Sequence, residues 1–344
     1  MYYTEKLNIA IVMMDSIYPQ RGGVHEQVYL LLRELPKLGA RAELVAYHMR
    51  KAEEVAPRLL WLRSFSYKFV KSLRRADYDV LLVETAWSVL PAIASRLAGG
   101  PRCVLHLHSI ESKQDVGLGR VGRALVSVLE RLGRLCDAIV ALSKVDAKLL
   151  KDMGFKRVYV IPPAIDLESF ESARPAELKK PAVVFVGGMG YPPNREAAQV
   201  LIEVARIIKS RKREVNFYLV GPSPPPVSPP IYATGYVEST APYVLGADVC
   251  VAPVYRGGGI KTKVLEYMAA GKPIVATRKA VEGIDDIKYL EAYTPEEFAD
   301  RLLDVIDGNV NVDFGENARI VRERHAPERV ASKILEVLEG VIHG

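Results

Sequence analysis

Two sets of short, almost unbroken apolar runs, each interleaved with helix-length segments, limit the folds open to this chain more than any other feature. In the first half the runs cover residues 7–13, 42–47, 79–83, 103–107, 138–142 and 158–161; in the second, 182–186, 215–220, 231–234, 248–252 and 274–276. A strand covered on one face alternates apolar and polar residues, whereas these runs are continuous, as strands of parallel sheets covered on both faces are. The segments between them, such as 24–38 and 118–135, carry helical periodicity. The expectation is an α/β chain of two doubly wound, Rossmann-like sheets. At 344 residues it is long enough for two cores. The proline-spotted, polar stretch 166–181 reads as a hinge between a domain over 1–165 and one over 182–326, and 327–344 reads as an amphipathic helix.

Open α/β sheets bind ligands beyond the carboxyl ends of their strands. Among those loops the stretch 253–278, PVYRGGGIKTKVLEYMAAGKPIVATR, is the most informative. Gly257, Gly258 and Gly259 allow a turn free of side chains, and a helical pattern follows directly. Amides at such a helix start attract anions, and Arg256, Lys261 and Lys263 add charge beside them, which points to phosphate. Val264, Leu265, Met268 and Ala269 form the face to be buried, with Lys263, Glu266 and Tyr267 off it. Glu266, one turn past Lys263, is placed to accept two ribose hydroxyls. A solvated basic helix start with a structural glycine turn is the plainer reading of the same residues.

Other loops carry weaker signals. Gly22 and Gly23 open the first helix as a second anion-friendly N-terminus or a simple turn. Gly187 and Gly188 precede a helix near Asn194. His106 and His108 point the same way on one strand; local spacing offers no third metal ligand, so no metal is expected. The segment 58–75 holds six basic residues, no acidic one and several aromatics, which suits either an anionic membrane surface or a surface helix with its stripe in the core. No nucleic-acid-binding motif accompanies the charge. The prolines of 221–230 read as a stiff loop between strands. Cys103, Cys136 and Cys250 show no paired spacing and read as buried fillers in a reducing cytoplasm. The first residues lack the pattern of a signal peptide, and no apolar stretch approaches the length of a membrane span. A cytoplasmic protein, also able to sit at the inner membrane face, is expected.

The run GGGIKTKVLEYMAAGKPIVAT closely resembles the nucleotide-sugar site of the family 4 (group 1) retaining glycosyltransferases of GT-B fold. That resemblance implies two Rossmann-like domains facing across a cleft, with the last helix crossing back to the first domain. It further implies a UDP- or GDP-sugar donor and a glycan, lipid-linked or small-molecule acceptor, with no cofactor. Glu266 matches the second of the family's two glutamates; the first falls on Gly258, as in a glycine-rich branch, which shifts the sugar-hydroxyl contact to backbone amides. The wording HSIES makes His108 the family histidine at the donor sugar, with His106 behind it, and TGYV puts Tyr236 at the base. The double glycine Gly22–Gly23 matches the one facing the donor phosphates. The family's diphosphate arginine and lysine would fall on Gly188 and Asn194, so that clamp is missing and Arg256, Lys261 and Lys263 are left to replace it.

On this reading the glycine amides and lysines stabilise the departing diphosphate without a metal. His108 and Glu266 are the residues expected to matter for turnover. No carboxylate nucleophile is evident in the cleft loops, in keeping with the same-face attack the resemblance implies, after closure of the two domains. Two rivals stay open: another GT-B reaction such as nucleotide-sugar epimerisation, and a nucleotide-sugar-binding protein without turnover, suggested by Gly258 and the absent clamp.

Overall fold

The computed structural model describes residues 6–15, 17, 22–48, 67–74, 77–114 and 119–344. Its chain divides into two compact units, one of residues 1–113, 118–164 and 327–344, the other of 114–117 and 165–326.

The first unit runs β1 (Asn8–Asp15), α1 (Gly23–Glu34), β2 (Arg41–His48), α2 (Tyr67–Ser72), β3 (Val80–Glu84), α3 (Val89–Leu97), β4 (Arg102–Leu107), α4 (Arg120–Leu132), β5 (Ala138–Ala141), α5 (Lys144–Asp152) and β6 (Val158–Val160). Its strands form one sheet in the order β2-β1-β3-β4-β5-β6, every neighbouring pair parallel. Alternate residues of each strand serve opposite faces. Ile9, Ile11, Leu82, Val104 and Val140 point to one core, Ala10, Val12, Leu81, Val83 and Leu105 to the other. Both sets are apolar because both faces are roofed by helices, which explains the unbroken hydrophobic runs.

The second unit begins with α6 (Leu167–Ser172) and continues through β7 (Ala182–Val186), α7 (Pro192–Ser210), β8 (Asn216–Val220), β9 (Ile231–Gly235), α8 (Ala241–Gly246), β10 (Val249–Ala252), α9 (Thr262–Ala269), β11 (Ile274–Ala276), β12 (Leu290–Glu291), α10 (Pro295–Ile306) and α11 (Gly315–Arg324). Its sheet, β12-β11-β10-β7-β8-β9, is again parallel throughout. The helix α12 (Pro327–His343) belongs to the first unit, where Val330, Ile334 and Leu338 join the core beneath α1 and Arg102 donates to the Val341 carbonyl at 2.7 Å.

The stretch 166–181, read from sequence as the hinge, has structure of its own. It contains α6, and its remainder is tied to the second unit: Ala176 N–H donates to Pro242 O at 2.8 Å, and Lys180 Nζ donates to Gly246 O at 2.6 Å and Asp248 at 2.8 Å. Polar composition here reflects a segment held by its backbone on a domain surface. At the end of the first unit, the buried Gln27 amide donates to Ala164 O at 2.8 Å and accepts from Ala164 N–H at 2.6 Å, fixing that exit to α1. Of 58–75, residues 58–66 and 75 lie outside the described residues. The described remainder holds α2, with Phe69 buried and Tyr67 exposed. Among the described residues, no helix is long and apolar enough to cross a membrane.

Candidate active site

In the second unit the polar groups gather where β7 gives way to α7 and where α9 begins. Tyr267 anchors this region. Expected off the buried face of α9, it is instead fully buried, and its hydroxyl accepts from the Val186 N–H at 2.8 Å and donates to Val251 O at 3.4 Å. One side chain thereby fixes the carboxyl end of β7 to β10, directly before Gly187. The helical pattern places Tyr267 beside the apolar positions; only the sheet above it supplies the partners that let a hydroxyl be buried.

Gly187 is required by what approaches it. A Cβ there would lie 2.7 Å from Lys263 Nζ and 2.9 Å from the Asn194 amide. Lys263, in the first turn of α9, extends beneath this loop and donates to Asn194 Oδ1 at 2.5 Å, with its ammonium 4.3 Å from the centroid of the Phe185 ring. Asn194 in turn donates to Gly188 O at 3.0 Å. Burial lowers the Lys263 ammonium from its ordinary 10.5 to about 7; Glu266 opposes that shift and Lys261 adds to it. The lysine thus touches an amide and an aromatic ring, with Glu266 and Lys261 acting on it as well, and its ammonium gives up its proton more readily than an exposed lysine does.

The glycine loop before α9 turns through left-handed backbone at Gly257 (φ 99°) and Gly259 (φ 66°). The helix starts at Thr262, three residues after the last glycine, with Lys261 at the N-cap and no side-chain acceptor offered to the first turn. Val264 N–H turns back to the Lys261 carbonyl at 2.8 Å, and the earlier amides, of Thr262 and Lys263, are left to solvent or to an anion. The three cations differ in their surroundings. Lys261 Nζ is folded back on the loop, donating to Gly259 O at 2.7 Å and Gly258 O at 3.2 Å, so it holds the glycine turn together. Arg256 forms an exposed ion pair with Glu196 of α7. Lys263 is the buried one. One turn on, Glu266 accepts from Thr240 Oγ1 at 2.8 Å; burial raises its carboxyl above the usual range, against the opposing effects of Thr240 and Lys263. Tyr236 follows the left-handed Gly235 and is 65% exposed.

In the first unit, Gly22 is the N-cap of α1 and Gly23 its first residue, with no side-chain cap. The polar centre is at the ends of β3 and β4. Their register sets Glu84 beside His106, and alternation puts His106 and His108 on one side with ring centroids 4.5 Å apart. The fully buried Glu84 joins both rings: Oε1 lies 3.1 Å from His106 Nδ1 and Oε2 lies 2.6 Å from His108 Nε2. Burial opposes ionisation of Glu84, yet the two imidazoles hold its carboxyl at about 2. His108 is lowered from 6.5, first by burial and then by His106, with Glu84 acting in the other direction. A neutral His108 donating from Nε2 leaves Nδ1 as an acceptor, a state suited to a sugar hydroxyl. Thr85, the next residue, has φ 66° and donates its N–H to His106 O at 3.0 Å, so the chain leaves β3 through a rarely occupied conformation.

Glu84 also corrects the expectation that the histidine pair lacks a third ligand. Among the described residues, Glu84, His106 and His108 each offer a ligand atom within 4.8 Å of the others. The donor set is chemically competent for a divalent ion, but the carboxylate already pairs with both rings. The sequence signal was a carboxylate at the carboxyl end of a buried strand; the strand assigned to 79–83 stopped one residue short of it.

Similarity to known proteins covers both units. The model of Glycosyltransferase Family 4 matches residues 21–169, and that of Glycosyl transferases group 1 matches residues 180–308. An uncharacterized glycosyltransferase of Methanocaldococcus jannaschii, MJ1069, is 22% identical over 85% of this chain and 84% of its own. Among solved structures, sucrose-phosphate synthase from Thermosynechococcus elongatus superposes with a TM-score of 0.78 at 17% identity, covering 98% of this chain and all of that one. Anabaena Alr3699/HepE in complex with UDP-glucose gives 0.71 at 15% identity, covering 97% of this chain and all of that one. The two parallel sheets have the α/β architecture of GT-B, and the chain belongs to the family 4, group 1 glycosyltransferases, enzymes that transfer a sugar.

Proposed function

We propose that this enzyme transfers a sugar, with retention at the anomeric carbon, from a nucleoside-diphosphate donor to a glycan, lipid-linked or small-molecule hydroxyl, without a divalent metal. The observation that carries the reading is one helix start. Uncapped amides of α9, a buried lysine and a buried carboxylate one turn later stand in the order in which a nucleotide presents phosphate and ribose. The binding of UDP-glucose by a structural neighbour favours a UDP-sugar over a GDP-sugar.

Glycosyl transfer builds negative charge on the departing diphosphate and positive charge on the sugar. Main-chain amides of the Gly257–Gly259 turn and of the first turn of α9, joined by a protonated Lys263, stabilise the first. Lys261 acts by shaping that turn. Glu266 receives the ribose hydroxyls beside the Thr240 hydroxyl that already donates to it; burial raises its carboxyl. His108, held neutral and oriented by Glu84, accepts from a donor-sugar hydroxyl rather than serving as a base. With no carboxylate nucleophile assigned, the leaving phosphate oxygen takes the acceptor's proton as the new bond forms on the face it vacates.

The test begins with thermal-shift screening against UDP-, GDP- and other nucleotide sugars, where a ligand at ~100 times its dissociation constant stabilises by ~2.7 kcal/mol. Transfer with the selected donor is then followed by NMR of the product anomer, with and without EDTA. An inverted anomer, or activity abolished by EDTA and restored by magnesium, overturns the mechanism. The absence of any shift with every nucleotide sugar overturns the substrate class.

A further inference from the structure

On α4 apolar side chains occupy the solvent-facing side as well as the buried one. Its buried side is Val126, Leu129 and Glu130, all at 0% exposure. Facing outward are Val121, 84% exposed, Val128 at 52% and Leu125 at 37%; Leu135, just past the helix, is 51% exposed. At 3.6 residues per turn, Val121, Leu125 and Val128 fall within a sector of about 60°; Leu132, further along the same line, turns in to pack against the core. Burial by the sheet does not account for this stripe, because another sector of the helix faces the sheet. Arg120 and Arg131 lie along its far border and are exposed.

The surroundings continue the pattern. Residues of α2, α3, α4 and α5 share one core, so these helices roof the same side of the sheet. Tyr67 of α2 and Leu97 of α3 are 74% and 76% exposed. Together α2, α3 and α4 hold Lys68, Lys71, Arg96, Arg120, Arg123 and Arg131 against a single carboxylate. That carboxylate is Glu130, buried and accepting from Ser112 N–H at 3.1 Å and from the Ser112 hydroxyl. The outward side of α2, α3 and α4 is thus apolar and cationic, with their one acid turned inward; Arg96 pairs with Asp137 at 3.3 Å, and the neighbouring α5 adds Lys144, Lys148 and Lys151 against Asp146 and Asp152.

We propose that this face, centred on the α4 stripe, docks on the surface of an anionic lipid bilayer. The aliphatic side chains enter the acyl boundary while the arginines beside them meet phosphate headgroups, the arrangement of an interfacial helix lying in the membrane plane. Charge argues against a second copy of this chain as occupant, since two such faces repel. Nucleic acid calls for aromatic stacking or groove contacts, and this stripe is aliphatic. The inference stands apart from the assignment of donor and mechanism.

The test is co-sedimentation of the full chain with vesicles of phosphatidylcholine alone and of phosphatidylcholine with about one-third phosphatidylglycerol. The expected result is binding to the anionic vesicles, weakened by salt, and little to the neutral ones. The double variant Val121→Glu, Val128→Glu carries its changes on solvent-facing side chains, so its melting temperature should match wild type while partitioning falls by about tenfold or more. Arg120→Ser with Arg131→Ser should weaken binding and flatten its salt dependence. Wild type that ignores anionic vesicles, or a Val121→Glu, Val128→Glu variant that binds them as wild type does, overturns the proposal. So does a wild-type dimer that this variant converts to monomer, since the face would then be an interface between copies.

Discussion

Replacing Lys263 by Met is expected to stabilise the fold and weaken donor binding, and to remove a pH dependence that wild type displays. The interval between 10.5 and about 7 for the Lys263 ammonium corresponds to roughly 4 to 5 kcal/mol at ~1.36 kcal/mol per pH unit. Because the folded value lies below the unfolded one, the unfolded chain binds more protons between about pH 7 and 10.5. This group's drag on stability is therefore full below about pH 7 and shrinks as pH rises towards 10.5. Met retains the length of the stem, suits the Phe185 ring, and carries no charge. Against the gain stands the Asn194 carbonyl left without its donor, about 1 to 3 kcal/mol. A net stabilisation of about 2 kcal/mol near neutral pH follows, read as a rise in Tm of several degrees.

Binding runs the other way. A diphosphate stabilises the protonated lysine, so above about pH 7 the donor must bring a proton with it. Its affinity then falls by up to ~10-fold per pH unit until the bound-state value is passed. Isothermal titration with the selected nucleotide sugar, in buffers of different ionisation enthalpy, should show proton uptake rising towards one between pH 7 and about 8.5. A diphosphate diester does not titrate in that range, so the uptake reports the protein. In Lys263→Met the uptake should vanish and affinity at pH 7 should drop by about 10- to 100-fold. Affinity flat across this range, with no proton uptake, would refute the reasoning by showing Lys263 fully charged before the donor arrives. A Met variant less stable than wild type would refute the desolvation part alone.

Three further perturbations test the site. In Glu84→Gln, the amide can accept from one imidazole but must donate to the other, forcing one ring into its other tautomer. Transfer should fall by about 10²-fold or more; because a carboxyl held at about 2 contributes stability near neutral pH, Tm should fall as well, and nitrogen NMR of the His106 and His108 rings should report the tautomer. Tyr267→Phe leaves the buried Val186 N–H without its acceptor and should cost about 1 to 3 kcal/mol by denaturant titration. Glu266→Gln keeps an acceptor for Thr240 but removes the charge that raises Lys263; the pH at which donor affinity begins to fall should move lower, while the donor KM rises.

What could be read from sequence divides along physical lines. Every apolar run assigned as a strand is one; in the inner strands burial on both faces leaves a signal local to each run, the half-exposed edge strands β6 and β9 keep an apolar run all the same, and the two-residue β12 is too short to show one. The glycine turn at Gly257–Gly259 and the paired orientation of His106 and His108 were legible for the same reason, since backbone freedom and two-residue alternation are local properties. Glu84, Tyr267 and the Asn194–Lys263 pair were not. The Glu84 link crosses from β3 to β4, that of Tyr267 runs from α9 to β7 and β10, and that of Lys263 runs from α9 to α7. Such links depend on sheet order, which a run of letters does not contain. The different surroundings of Arg256, Lys261 and Lys263 are invisible in sequence for that reason. Position in sequence made them equivalent, whereas Glu196 and the glycine carbonyls draw two of them into surface and loop contacts.

That division among the cations bears on how the site discriminates. Exposed Arg256, already paired, adds little specific attraction, since a surface ion pair in water contributes about 0–1 kcal/mol. Lys263 lies where water is thin, so an anion reaching it gains more from each unit of charge. The same burial keeps the lysine partly neutral until that anion arrives. A site built this way makes little use of charge when empty and most when a diphosphate is seated at the start of α9. It should therefore distinguish nucleoside diphosphates from monophosphates more sharply as pH rises above about 7. Competition by a nucleoside monophosphate and diphosphate of the same base, compared across that range, measures the effect. A ratio that stays constant with pH would assign the discrimination to the amides of the glycine turn instead.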